Sequence, residues 1–338
     1  MVKNRNRFTL MNKNTLIIAS LLMFFSWNVS AQNERILLFE CFTNTSCESC
    51  AQQNPALDAL INANSDRVAA IKYHMNWPEA NDPMYLHNPV DNNARKEVYG
   101  VNSVPHTVVD GIRFSYMPNG LNQNIVNHWL NIESPFEMCL SYEVDTIANL
   151  ITVHVMGRSF SSIQGNLKLY VGIIEKEIHF NSAPGSNGEE DFYNVMKKLL
   201  PTASGTSIGD VEPGNYFAYT FTWELANIYD MSQLDAIAWI QNQNTKEVYQ
   251  ACKSSEDIEP FFANEGMVSD ITYIYPNPTD GLLNILCQVK QTVTVFNMAG
   301  QRVYEGQGNG KLQINMKRFG TGIYAVKVGE ETQRIIVK

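Results

Sequence analysis

Two cysteines separated by two residues, Cys47 and Cys50, have the clearest chemical potential in the chain. They follow an apolar strand-like run at 36–39 and precede a run at 57–61 whose apolar residues share one helical face. This arrangement predicts that Cys47 caps the N-terminus of a helix and that Cys50 lies one turn inside it. Amide hydrogens and the helix dipole stabilise a thiolate there, and two cysteines at this spacing can close a disulfide. The pair predicts thiol–disulfide exchange, with Cys47 attacking and Cys50 resolving.

Two other interpretations of this pair stay open. It can be a permanently oxidised structural disulfide in a binding domain, because a motif match alone gives false positives. It can also be half of a zinc site, for which Cys41, His74 and His106 are available as further ligands. No second Cys-x-x-Cys or His-x-x-x-His spacing completes a tetrahedral set, so we predict neither a metal nor a cofactor.

The elements around this pair belong to an exported protein without a basic surface. The chain has 338 residues and a formal net charge of −9, and no run of Lys and Arg suited to a nucleic-acid backbone occurs in it. Residues 1–31 combine a basic start, an apolar run and small residues up to Ala31, which predicts a signal peptide cleaved after Ala31. No later run is long enough to span a membrane as a helix, so we predict no membrane-spanning segment in the mature chain.

Three units with different textures follow the predicted signal peptide. Strand-like and helix-like runs alternate over 32–133, which predicts an α/β domain. Residues 134–254 are rich in strand-like runs and predict a β-sandwich domain, with one short helix at 191–200 where Phe192, Val195, Met196 and Leu199 recur at helical spacing. A polar linker at 255–270 leads to a second β-sandwich at 271–338. The fold class is therefore multidomain, one α/β domain followed by two antiparallel β-sandwiches.

Export also bears on Cys139 and Cys252, because paired thiols oxidise outside the cytosol. They lie on the predicted first and last strands of the middle sandwich, so a bridge between them is a candidate disulfide. The alternative is two separate buried thiols, as we expect for Cys287.

Further residues around the pair carry a resemblance to the thioredoxin fold. Pro55 follows Cys50 by five residues, and Val104-Pro105 directly precedes a strand-like run at 107–109. In the thioredoxin fold a helix proline follows the cysteine motif at this spacing, and a cis-proline loop faces the two sulfurs. The resemblance implies that Pro105 is that cis-proline and presents backbone groups to an extended substrate.

The segment from about residue 34 to residue 252 is similar to the outer-membrane-protein-twenty-eight-related family of exported bacterial proteins. Its blocks in this chain include Glu40, Tyr73-His74, Asp82-Pro83-Met84, Tyr99-Gly100-Val101 and Phe192 to Met196. The family implies a surface or outer-membrane protein with a thioredoxin-like part. The chain departs from active thioredoxins at Ser46, where they usually have tryptophan, and at Glu48-Ser49, which replaces Gly-Pro. The Glu48 carboxylate should work against a thiolate at Cys47.

The C-terminal unit closely resembles the sorting domain of type IX secretion cargo. The blocks 275–281, 293–303, 319–328 and 334–338 occur in the order found in that domain. The resemblance implies recognition by the type IX secretion machinery through residues 271–338. It implies a protein that is secreted or associated with the outer membrane or cell surface after signal-peptide cleavage.

Two functions follow from these observations. The first is an exported cell-surface thioredoxin-like protein, a candidate thiol–disulfide oxidoreductase acting through Cys47, Cys50 and Pro105 on a disulfide-bearing protein substrate. The second is a surface binding or interaction protein in which Cys47–Cys50 is only a structural disulfide. Hydrolase and nucleotide-dependent functions have little support, because no Ser-His-Asp set, paired-carboxylate site or phosphate-binding glycine loop stands out.

Overall fold

The structure is a computed structural model that describes residues 34–254, 272–275, 279, 281–329 and 331–338. The predicted signal peptide at 1–31 and the predicted linker at 255–270 lie outside the described residues. Among the described helices, none combines the length and the apolar character needed to cross a membrane.

The first part of the chain alternates strands and helices, as its sequence pattern predicts. Strand β1 leads into the helix that begins after Cys47, and later strands return beside it. The elements in chain order are β1 Leu37–Thr43, α1 Glu48–Asn62, β2 Val68–His74, α2 Pro83–His87, α3 Pro89–Tyr99, β3 His106–Val109, β4 Phe114–Tyr116, a 3₁₀ turn Pro118–Gly120 and α4 Gln123–Leu130.

Strands β1 and β2 form the centre of this part. They run parallel, from the pair Leu37 and Val68 to the pair Thr43 and His74, and every residue of both strands is buried. Their near-continuous apolar sequence fits a parallel pair covered on both faces. Strand β3 pairs antiparallel with β1, and β4 pairs with β3, so the strand order is β2-β1-β3-β4.

Capping residues determine where α2 and α3 begin and where α3 ends. Asp82 accepts from the first backbone N–H groups of α2, and Asn88 does the same for α3. Helix α3 ends at Gly100, whose φ of 64° is left-handed and favours glycine. The two caps therefore define both ends of α3, the helix that carries the buried Arg95.

The middle part is built of strands, as its strand-like sequence pattern predicts. The later sorting segment is also made of strands. The elements are β5 Phe136–Asp145, β6 Leu150–Ser159, β7 Leu167–His179, β8 Asp191–Leu200, β9 Thr206–Ser207, β10 Tyr216–Glu224, β11 Leu234–Asn242, β12 Val248–Lys253, β13 Thr272–Tyr275, β14 Leu282–Asn297, β15 Arg302–Asn315, β16 Gly322–Val328 and β17 Glu331–Val337, with 3₁₀ turns at Met231–Gln233 and Met316–Phe319.

The helix predicted over 191–200 is wrong, because this segment is strand β8. Two irregularities explain the misleading pattern. Asn194 has a left-handed φ of 55°, and the register with β7 shifts so that Lys197 has no opposite residue between the pairs formed by Met196 and Lys198. A bulge breaks the two-residue alternation of a strand. Four of the buried apolar side chains, at positions 192, 195, 196 and 199, therefore recur at spacings of three, one and three, which the sequence alone cannot distinguish from a helical face.

A single nine-stranded sheet takes strands from both sides of the predicted boundary at 133/134. Its order is β12-β11-β7-β8-β2-β1-β3-β4, with β9 at the side of β7. The junction is between β8 and β2, which run parallel and pair at Val195 and Lys72. The α/β part and the middle part therefore share one hydrogen-bonded sheet, although they are two consecutive segments of the chain.

The middle part also forms a sandwich. The sheet β10-β6-β5 packs on the β7, β11 and β12 portion of the large sheet through a shared apolar core that includes Phe136, Val153, Leu169 and Ile240. In the sorting segment the described strands form one five-stranded antiparallel sheet, in the order β13-β14-β16-β17 with β15 beside β14. The long strand β14 contributes to a single core from both of its halves, with Leu283 in the first and Val295 in the second.

A buried ion pair lies between the two parts of the large sheet. Glu40 of β1 and Arg95 of α3 are both fully buried, and both carboxylate oxygens accept from the guanidinium, each at 2.8 Å. Tyr73 donates to the same carboxylate at 3.0 Å, and Arg95 also donates to the side-chain oxygen of Gln241 on β11 at 3.0 Å. The guanidinium carbon lies 4.8 Å from the ring centre of Tyr170 on β7. The pair thus contacts elements from both parts of the chain.

We predict that Arg95→Met lowers the free energy of unfolding by about 3–5 kcal/mol, because it leaves the Glu40 carboxylate buried without a counter-charge. Adding Glu40→Gln should recover part of the loss. Urea unfolding followed by tryptophan fluorescence measures both effects. The control is Arg302→Met, which breaks an exposed pair with Glu305 and should cost less than about 1 kcal/mol. An equal loss in the control would contradict the prediction.

Candidate functional site

Cys47 lies at the point where β1 has ended and α1 begins. It is the N-cap residue of α1, and its sulfur accepts the backbone N–H of Cys50 at 3.1 Å. The two sulfurs are joined in a disulfide. The sequence-based placement of both cysteines on the helix is therefore as predicted. In the reduced protein the same N–H donor would face the Cys47 thiolate, which is the charge form that a helix N-terminus favours.

The loop before β3 faces this disulfide. The peptide bond between Val104 and Pro105 is cis, and the carbonyl oxygen of Val104 lies 3.6 Å from the Cys47 sulfur. The structure therefore brings Pro105 to the cysteine pair from about 55 residues away in sequence. A carbonyl at this distance is an acceptor that a backbone N–H of an extended polypeptide could use.

The two cysteines differ in their exposure. Cys47 is 5% exposed, whereas Cys50 is fully buried. The hydroxyl oxygen of Ser49 lies 3.4 Å from the Cys47 sulfur, and the exposed Glu48 carboxylate accepts from the Gln52 side chain at 3.5 Å. A reagent that reaches the disulfide from solvent therefore meets the Cys47 sulfur first.

The remaining cysteines do not share this environment. Cys41 packs beneath α1 with Leu57 and Ile61, and burial raises the pKa of its thiol to about 12. It lies on the face of β1 where Lys72 and Asp58 form an ion pair of 2.6 Å between β2 and α1. A neutral, buried thiol of this kind is a poor nucleophile.

The predicted bridge between Cys139 and Cys252 is absent, since the structure holds both as buried free thiols. Cys252 belongs to the sandwich core with Met138 and Leu140, whereas Cys139 lies between those two residues on β5 and points to the alternate face. The prediction relied on strand position, which does not determine the direction of a side chain. Cys287 is buried as well.

A buried carboxylate anchors the turn that precedes Cys47. One oxygen of Asp82 accepts the backbone N–H of Thr45 at 2.8 Å and contacts Nδ1 of His74 at 2.8 Å, while the other caps α2. Burial alone would raise the pKa of Asp82, but the His74 ring and the backbone donors outweigh it and hold the pKa below its ordinary 3.8. His74 thus has a structural role at the end of β2.

His106 is also held by a neighbour. Its Nε2 lies 2.9 Å from the hydroxyl of Ser115 on β4, and burial lowers the pKa of its ring. Across the described ranges, three or more His, Cys, Asp or Glu side chains nowhere gather closely enough to hold a metal ion.

The sequence analysis missed a second contributor to the site, the loop 184–189 between β7 and β8. The side-chain amide of Asn187 donates to the carbonyl of Cys47 at 3.2 Å and to that of Asn44 at 3.3 Å. About 140 residues separate Asn187 from the cysteine motif, so no local sequence pattern connects the two. Its glycine at position 185 was the one available signal that a backbone approaches closely here.

Comparison with known families identifies the C-terminal segment. Residues 273–338 match the family described as a secretion system C-terminal sorting domain. This match confirms the sorting segment predicted at 271–338, and it implies recognition by the type IX secretion machinery. The protein is therefore secreted or associated with the cell surface.

Comparison with solved structures informs the fold. HBP35 of Porphyromonas gingivalis has a TM-score of 0.55 and 18% sequence identity, and the alignment covers 90% of this chain and 99% of that one. A likeness at this identity shows a shared fold alone. A domain of the outer membrane lipoprotein Omp28 from the same organism aligns over 36% of this chain and 88% of its own, at 16% identity, but its TM-score of 0.26 carries no argument. No curated protein matches the chain.

We predict that Asp82→Asn lowers the free energy of unfolding by roughly 2–4 kcal/mol at neutral pH, because the turn before Cys47 and the His74 ring lose a buried, charged acceptor. The pKa of Asp82 is lowered in the folded state, so its contribution is present above about pH 4 and is lost as the pH falls through the folded pKa. Urea unfolding of both proteins across pH 2–7 measures the difference, which should shrink towards the acid end. The exposed Asp66→Asn is the control, and a gap that is constant with pH would count against the prediction.

We predict that a chain truncated after Asp270 stays in the periplasm, because it lacks the segment that the secretion machinery recognises. Cell fractionation with protease treatment of intact cells measures the location. The control is the full chain with a short, unrelated tag added after Lys338. It tests whether a changed C-terminus alone blocks export. Normal amounts of the truncated chain at the surface or in the medium would contradict the role of this segment.

Proposed function

We propose that this exported protein carries a thioredoxin-like unit that performs thiol–disulfide exchange through Cys47 and Cys50. The observation that carries the proposal is the juxtaposition of a cysteine pair at the start of α1 with the cis peptide before Pro105, at 3.6 Å from the Cys47 sulfur to the Val104 carbonyl. Support for a thioredoxin-like unit comes from the strand order β2-β1-β3-β4, with α1 crossing between the parallel strands β1 and β2.

The reaction needs only thiols and disulfides. In the reductive direction the Cys47 thiolate attacks one sulfur of a substrate disulfide, a Cys47–substrate disulfide forms, and the other substrate sulfur leaves as a thiolate. Cys50 then loses its proton and attacks the Cys47 sulfur, so the second substrate thiolate is released and the Cys47–Cys50 disulfide forms. Two electrons pass to the substrate. An exported dithiol must return them to the protein, and a substrate dithiol runs the same steps in reverse.

Charge and access support the roles of the two cysteines. The Cys50 N–H already donates to the Cys47 sulfur, so a thiolate would form there without rearrangement of the backbone. Cys50 is fully buried, so external thiols and disulfides do not reach it, yet it lies one turn from Cys47 and can attack the mixed disulfide there. Glu48 is exposed, and water screens its opposing effect on the thiolate.

The second candidate is a surface binding protein in which the disulfide is structural. The small exposure of Cys47, 5%, together with the loop 184–189 against the preceding turn, favours it. A structural disulfide of an exported protein has a reduction potential below about −300 mV, whereas exchange proteins have potentials of about −270 mV or higher. The potential of the Cys47–Cys50 pair therefore separates the two functions.

We predict that Cys50→Ser accumulates mixed disulfides through Cys47, whereas Cys47→Ser accumulates few, because Cys50 is shielded inside the helix. Non-reducing electrophoresis followed by peptide mapping measures the trapped species after exposure to a model disulfide. The same experiment in a Cys41→Ser background should give the same result, because Cys41 is buried and its raised pKa keeps it protonated. Exchange fails as the function if Cys47 is unreactive and both replacements only lower the melting temperature.

A further inference from the structure

The loop between β7 and β8 lies against the turn that precedes Cys47. The backbone N–H of Asn187 donates to the carbonyl of Thr45 at 3.2 Å, and that of Ser186 donates to the hydroxyl of Ser46 at 3.3 Å. A Cβ atom on Gly185 would lie only 2.2 Å from the Thr45 carbonyl oxygen. Only glycine allows the two backbones to approach this closely.

The base of this hairpin is anchored near the end of β2. Phe192 of β8 packs in a small apolar cluster with Met84, Ile178 and Val195. Its ring centre lies 5.7 Å from that of His74. Because this cluster and the β8–β2 pairing hold the hairpin, the position of its loop relative to α1 is set by tertiary packing.

Asn187 is the side chain of the loop that reaches the cysteine motif itself. Its amide nitrogen contacts three acceptors, the carbonyls of Asn44 and Cys47 and a carboxylate oxygen of Glu189 at 2.5 Å. The other Glu189 oxygen accepts from the side chain of Asn54 on α1 at 2.7 Å. Asn187 thus connects the turn before α1, the first residue of the cysteine motif and an acidic side chain that is joined to the helix.

We propose that Asn187 is a positioning residue for Cys47, so that a hairpin from the middle part of the chain sets the reactivity of the cysteine pair. This inference rests on the proposed exchange function. The amide of Asn187 adds a second kind of donor to two carbonyls that also accept backbone N–H groups, and it donates to the Glu189 oxygen that Asn54 does not reach. It also keeps the turn 44–47 in the geometry in which the Cys50 N–H meets the Cys47 sulfur.

Loss of this amide has a definite effect on the reduced protein. Two carbonyl oxygens and the Glu189 carboxylate would lose a hydrogen-bond donor while remaining close to Cys47. The two carbonyls keep their backbone N–H donors, but less of the negative charge on them and on the Glu189 carboxylate is then compensated, which disfavours a nearby thiolate, so the pKa of the Cys47 thiol should rise. One neutral hydrogen bond corresponds to roughly half a pKa unit to one unit. Attack by Cys47 at neutral pH should then slow by about three- to tenfold, because only the thiolate is nucleophilic.

The experiment is the pH profile of iodoacetamide alkylation of Cys47 in reduced full-length protein, with the Cys50→Ser background used to isolate Cys47. Asn187→Ala is compared with the matched control Asn181→Ala, an exposed asparagine elsewhere in the connection between β7 and β8. We expect Asn187→Ala to raise the pKa of Cys47 by roughly half a unit to one unit and Asn181→Ala to leave it unchanged. An unchanged pKa with only a lower melting temperature would overturn the inference, as would an equal shift in both variants.

A second variant covers the case in which Asn187→Ala does not fold. Asn187→Asp keeps the size of the side chain, removes both amide hydrogens and adds a negative charge, so the pKa of Cys47 should rise further. An unchanged or lower pKa in Asn187→Asp overturns the inference. The profile requires no substrate, so it is independent of turnover. If the native protein fails to exchange with any disulfide while the Asn187 variants shift the pKa, the proposed function falls and the positioning role stands.

Discussion

The rest of the structure depends on the burial of one carboxylate, Glu40, in strand β1 of the large sheet. A charge with no exposure is tolerated only where a counter-charge and further donors surround it. Arg95 supplies the counter-charge from α3, and Gln241 joins the guanidinium from β11. The strands and helices can therefore pack in only a few arrangements, since any shift between the α/β part and the middle part would leave a buried charge with incomplete partners. This requirement explains why one sheet serves both parts.

The same logic operates around the cysteine pair at smaller scale. The turn between β1 and α1 has no apolar core of its own, and its position is set by hydrogen bonds to Asp82 and Asn187. Asp82 comes from the segment after β2, and Asn187 comes from the hairpin after β7. The pair thus lies where four separate stretches of chain meet, since the loop before β3 also faces it, and its chemistry depends on polar contacts with all of them. A rigid support of this kind is what an exchange site and a structural disulfide both require, which is why potential and reactivity, more than geometry, separate the two functions.

The sorting segment contributes in a different way. Its strands form their own sheet with their own core, which includes Val326 and Ile335, and the matched family covers nearly all of it. Export delivers the cysteine pair to a compartment where disulfides persist. In that compartment an oxidised Cys47–Cys50 pair is the expected resting state, and any exchange must draw its electrons from exported thiols.

Short-range patterns in the amino-acid sequence determined several features without any help from tertiary contacts. The strand β1, the helix start at Cys47, several strands of the middle part and the sorting segment follow from short-range patterns, because apolar periodicity and capping act over a few residues. Tertiary structure decided the rest. Contacts between distant residues explain three features. They are the irregular strand β8 at 191–200, where the sequence predicts a helix, the different faces on which Cys139 and Cys252 lie, and the approach of Asn187 to Cys47. No local pattern encodes these features, because each depends on which face of a strand is covered by another part of the chain. That choice is made only when the sheet and its buried ion pairs form together.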